Sequence, residues 1–244
     1  MTERLAEASP RLKARIAGVF YLLEATTAVF GQIFILGMLV VPRDPAATAT
    51  NILAHESLFQ LGFASSLIAV GFHIAWALLF YDLFKPVNRS VSLLALFVIL
   101  VGCAIQALTS LFYLAPLLVL RSGSSAFTAE QLQALAFMFL KFNTQAFNIY
   151  LVFFGFWCVL IGYLICRSTF LPRIIGVLLV IAGLGWATHL SPLLARQLFP
   201  LIATAAALGE IPLMLWLLVI GVNAQRWKEQ ARTRACESEG GADQ

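Results

Sequence analysis

Three ionisable side chains, Glu24, His73 and Glu210, stand inside stretches of sequence that are otherwise almost wholly apolar. A carboxylate near the centre of a membrane-crossing helix costs about 2.5–3.5 kcal/mol on insertion scales, so such residues face the protein interior and have partners. A buried carboxyl is least unfavourable when it is protonated or shares a proton with an imidazole. At ~1.5 Å per residue, Glu24 lies roughly 12 Å from the inner end of its helix. His73 is at a similar depth, and Glu210 is near the middle of its own helix. Gln106 sits somewhat further out. Glu24, His73, Gln106 and Glu210 are therefore the candidate ligand- or proton-binding set. Glu24, His73 and Glu210 are expected to be mutually close or linked by water. The same residues could instead form a hydrogen-bonded clamp that fixes helix register.

A second polar group gathers toward the outer side: His55, Glu56, Gln32, Asn143, Gln145, Asn148 and His189. Most of these stand near an interface, where polarity is ordinary. Gln32, Asn148 and His189 are the candidate lining of an outer vestibule. Zinc needs three or four converging ligands, and His55 and His73 are about 27 Å apart along one continuing helix axis. Neither HExxH nor HxxxH occurs, nor does a P-loop, a dinucleotide fingerprint or GxSxG. No metal, cofactor or catalytic residue is expected. Thr26, Thr27, Ser65 and Ser66 read as hydroxyls bonded back to their own helices. Asp82 reads as a partner of Lys85 or Arg89.

The elements that must position these residues are six long apolar stretches, over 16–41, 58–81, 91–120, 143–166, 172–190 and 199–222. Crossing a ~30 Å hydrocarbon core takes about 20 helical residues. Hydrophobic residues make up 61% and charged residues 11%, against about 25% charge in a soluble domain. The fold class is an all-α, polytopic transmembrane bundle of six spans, forming one domain over 1–223. A short interfacial helix is expected before the second span, after Pro42 and Pro45. Thr128-Ala-Glu-Gln has capping-box spacing and opens a helix through about Lys141. That helix either lies on the outer interface or runs straight into the fourth span. The polar segment 224–244 lacks apolar periodicity and reads as a disordered tail beyond a short helical extension.

Cationic residues orient the spans. Arg4, Arg11, Lys13, Arg15, Lys85, Arg89, Arg167, Arg173, Arg226, Lys228, Arg232 and Arg234 fall on one side, and Arg43, Arg121 and Arg196 on the other. The positive-inside rule then puts both termini in the cytoplasm, with 42–57 and 190–198 outside. The net charge of +4 belongs to the rim that meets anionic headgroups, and no basic groove-reading surface suggests a nucleic acid. The first apolar run is too long for a signal peptide and lacks a cleavage site, so it is an uncleaved helix. Cys103, Cys158, Cys166 and Cys236 form no CxxC, and none lies in an outer loop, which argues against a disulfide framework.

The spans carry stripes of small residues at steps of three and four, notably Gly155 and Gly162 on the fourth and Gly176 and Gly183 on the fifth. Such stripes permit close helix approach where lipid supplies no hydrophobic drive.

The blocks RIAGVFYLLE (15–24), NILAHESLFQLGF (51–63), LLFYDLFKPVNRSVSLLA (78–95), LVFFGFWCVLIGYLICRSTFLPRIIGVLLVIAGLGW (151–186) and GEIPLMLWLLVIGV (209–222) resemble a family of bacterial membrane proteins. That family is known as domain of unknown function 4386, and the resemblance runs from about 12 to 223. It implies a six-helix inner-membrane protein without an established activity. Glu210 matches the family's pattern, and His73 stands where many members carry an acidic residue.

The function expected is binding or transport of a small or amphipathic molecule, or a proton, through the intrabundle cluster. An intramembrane enzyme acting on lipid and a structural or regulatory subunit are the alternatives. The partners expected are the bilayer, an unidentified small molecule, and a second copy or another membrane protein.

Overall fold

The computed structural model describes residues 9–123 and 126–240, the last six by backbone alone. Arg4 of the charge count and the Cys236 side chain lie outside that description.

All regular structure among the described residues is helical. Six helices are long and apolar enough to cross a membrane: α1 (Pro10–Leu39), α3 (Glu56–Phe84), α4 (Arg89–Arg121), α5 (Ala129–Arg167), α6 (Arg173–Leu190) and α7 (Pro192–Val219). Two further helices are α2 (Pro45–Ala54) and α8 (Ala224–Gly240). Local chemistry sets the starts. Asp44 caps α2, accepting from Ala47 N at 2.9 Å with Pro45 at the first position. Asn88 caps α4 through Val91 N. Thr128 and Gln131 bond reciprocally at 2.9 and 3.2 Å, the capping box read from sequence.

Of the two courses open to 130–142, the chain takes the second: α5 runs unbroken for 39 residues into the span. Nothing in TAEQLQALAFMFLKFN breaks a helix, so its periodicity simply continues into the span. The segment from 224 forms a helix through 240. Tertiary bonds hold it: Trp227 Nε1 donates to the Leu83 carbonyl at 2.8 Å, and Gln230 reaches the Arg167 carbonyl and the Thr169 amide.

The chain divides into two compact units, with the breaks falling inside α1, α3, α4 and α5 and with α6 and α7 whole in the first. Among the described residues, the first comprises 9–22, 74–102 and 151–240. Its interior is aromatic: Trp76 and Trp157 pack edge to face with centroids 4.6 Å apart, and Phe80 joins both. α5 and α6 meet here along a glycine seam. A Cβ on Gly155 would stand 2.7 Å from the Gly183 carbonyl, and one on Gly162 would stand 2.7 Å from that of Gly176. Only glycine permits that approach. Asp82 bonds both Lys85 (2.8 Å) and Lys13 (3.4 Å).

The second unit comprises 23–73 and 103–150. Ile35, Leu39, Ile52, Phe59, Tyr113, Leu117 and Leu140 form its apolar core. Its interior also buries Glu24, Ser65, Ser66, His73, Gln106, Thr109, Ser110 and Asn143. Large apolar side chains such as Ile33, Phe34, Leu118, Leu184 and Leu201 are more than half exposed. On helices of this length they face lipid, so the bilayer is a partner of this chain.

Candidate functional site

The densest polar chemistry lies inside the second unit. α1 carries Glu24, and nearly two turns later its backbone loosens into a π turn over Phe30–Ile35, a device frequent at functional sites. Hydroxyls of neighbouring helices engage carbonyls here: Ser65 donates to Thr27 O at 2.9 Å, and Tyr113 donates to Gly31 O at 3.1 Å. A Cβ on Gly31 would lie 2.6 Å from the Gly62 carbonyl, so glycine lets α1 and α3 approach at this point. The closeness aligns the interior face of α3, and with it His73.

Nδ1 of His73 is 3.6 Å from Oε1 of Glu24, with the two side chains 0% and 8% exposed. The Tyr150 hydroxyl is 3.5 Å from the same Nδ1, and the two rings stand edge to face. Gln106 of α4 is close enough for its amide to interact with the imidazole. Its Oε1 is buried and has no hydrogen-bond partner among the described residues. An acidic, an imidazole, a phenolic and an amide group thus converge in the buried interior of this unit. This arrangement can exchange a proton between carboxyl and ring, and the Gln106 amide offers both donors and an acceptor.

Further along α1 within the same unit, Asn143 Nδ2 donates to Gln32 Oε1 at 3.0 Å. Asn143 Oδ1 is a second buried acceptor without a partner among the described residues. Asn148 is half-buried on α5. Glu56 pairs with Arg121, and His55 Nδ1 lies 3.1 Å from the Asn51 carbonyl.

Glu210 and His189 belong to the other unit. There, Trp186 Nε1 donates to Glu210 Oε1 at 2.6 Å, and the Tyr21 hydroxyl lies 3.5 Å from Oε2. His189 is half-buried, with Nδ1 3.1 Å from the Trp186 carbonyl. Glu24 thus stands beside His73 in one unit, and Glu210 is held by Trp186 and Tyr21 in the other. Among the described residues, no three His, Cys, Asp or Glu side chains are grouped as a metal would need.

Sequence reasoning missed Tyr21, Tyr150 and Trp186. A signal existed: the polar tip of a Tyr or Trp within an apolar span needs a partner, and the carboxylates and imidazole supply one.

Residues 16–221 match the family described as domain of unknown function DUF4386. The chain belongs to that family. The match takes in all four residues of the candidate set and every span. No curated protein and no solved structure is detectably similar to the chain. The six spans rest on the helices themselves, and the chemistry of the site rests on the side chains above.

Proposed function

We propose that this protein is a binding or transport protein whose site is the polar interior of the 23–73/103–150 unit. It takes up a proton on the Glu24–His73 pair together with a small molecule that carries a hydrogen-bond donor. The carrying observation is that pair, 3.6 Å apart and almost fully buried, with Gln106 buried beside the imidazole. The amide oxygen has two lone pairs, so a ligand donor or a retained water could bond it as well. Glu210, held by Trp186, is a second, half-buried carboxyl with no assigned task in this reading beyond binding its own donors.

The cationic bias of the sequence supports placement in a bacterial inner membrane with both termini inside. Six spans without an inverted repeat favour a homodimer as the working form.

The test is proton movement into proteoliposomes under an imposed membrane potential, followed with an internal pH dye. Wild-type protein is expected to acidify the lumen faster than empty vesicles. Glu24→Gln is expected to fold, because the amide keeps the volume, and to lose that movement. Wild-type vesicles that behave as empty ones would remove the proton from the proposal. A Glu24→Gln protein that is fully active would remove Glu24.

A further inference from the structure

Where α7 gives way to α8, the first unit opens a cleft of about 580 Å³ lined by Arg11, Thr169–Pro172, Trp216, Ile220–Ala224 and Arg226. Its size falls in the range of small-ligand sites, roughly 300–1,000 Å³. From this cleft we infer a binding site for the phosphate headgroup of an anionic phospholipid.

The lining is two-sided. Arg11 and Arg226 supply two guanidinium groups, and no carboxylate lines the cleft. Phe170, Leu171, Pro172, Trp216, Ile220 and Val222 supply an apolar wall, with Phe170 and Leu171 themselves buried. Both arginines are held in place by carbonyls. Arg11 Nε donates to Ile220 O at 3.2 Å, and Arg226 Nη1 donates to Thr169 O at 3.3 Å. A guanidinium carries five N–H donors, so each keeps several for a second acceptor. The fork geometry matches a phosphate bidentately. Anchoring the arginines in advance lowers the entropy lost on binding.

Position selects the occupant. The cleft lies at the ends of two membrane-crossing helices, next to the N-terminal start of α1 and the C-terminal end of α7. Headgroups sit at that depth, and Trp216 is of the type enriched there. Chain reversal at Gly221, with φ +74°, is what opens the space between α7 and α8. A free phosphate would use the arginines and leave the apolar wall bare, whereas a phospholipid fills both.

The experiment uses the full chain in a neutral detergent and reads the thermal unfolding midpoint. Titrants are phosphatidylglycerol, phosphatidylcholine and inorganic phosphate. Phosphatidylglycerol is expected to raise the midpoint, with little change from the other two. Arg11→Gln/Arg226→Gln is expected to lose most of that rise. Lys228→Gln/Arg232→Gln, which removes equal charge outside the cleft, is expected to keep it. An equal rise with phosphatidylcholine, or an equal loss in the outside pair, would overturn the site as diffuse attraction. An equal rise with inorganic phosphate would overturn the lipid assignment. Should the double variant not fold, Arg226→Gln alone decides, because Arg226 is exposed; an undiminished rise in it overturns the proposal.

Discussion

The indole nitrogen of Trp186 donates a 2.6 Å hydrogen bond to Oε1 of Glu210, joining α6 to α7 in the middle of an apolar span. The bond explains how α7 tolerates a carboxyl at a position where a lone one would be costly. It also separates two roles for Glu210. Glu210→Gln keeps an acceptor for Trp186 and is expected to unfold near the wild-type temperature. Glu210→Leu orphans the indole N–H and is expected to lose about 1–3 kcal/mol. Thermal unfolding in detergent checks both. A leucine variant as stable as the wild type would show that the bond contributes little.

The Glu24–His73 contact should appear as energetic coupling. Glu24→Gln and His73→Gln, singly and together, form a double-mutant cycle. Contacting residues couple by about 0.5–3 kcal/mol. Effects that add to within about 0.3 kcal/mol would make the two residues independent anchors and weaken the site that contains them.

The glycine seam makes a packing prediction. Gly183→Leu forces a side chain where the Gly155 carbonyl and the Cys158 Cβ lie within 3 Å of the new Cβ. Overpacking of this kind costs typically about 1–3 kcal/mol. Gly37→Leu, where nothing lies within 4 Å, is expected to be nearly silent. Comparable losses at both positions would show that the close approach at the seam is not the cause.

Docking of α8 is tested by proteolysis. Trp227→Ala removes the bond to the Leu83 carbonyl and the packing of the indole. Trypsin is expected to cut after Arg226 and Lys228 faster in this variant than in the wild type. Equal rates would mean that the helix is already detached in solution.

Orientation is accessible to cysteine labelling in a background lacking the four native cysteines. A cysteine at Ala47, in α2, is expected to react with an impermeant reagent in intact cells, and one at Gln225 only after permeabilisation. The reverse pattern would invert the proposed topology.

What the sequence determined by itself is local to the chain. Hydropathy and length set the six spans, because each segment must satisfy its backbone bonds internally in lipid whatever its neighbours are. Thr128-x-x-Gln131 and Asp44-Pro45 set helix starts, because caps act within one turn. The facing glycines of α5 and α6 were legible as a stripe, since a small-residue face has one main use in a bilayer. Tertiary structure decided the rest. Rotation of each helix about its axis, and the order of its neighbours, put Tyr150 and Gln106 against His73, paired Asn143 with Gln32, and gave Glu210 to Trp186. Hydropathy is blind to these angles. It is equally blind to the polar face of α8, whose helix is held by Trp227 and Gln230 meeting carbonyls far away in sequence. Polar side chains in an apolar span announce that a partner exists, and only the packed helices decide which one.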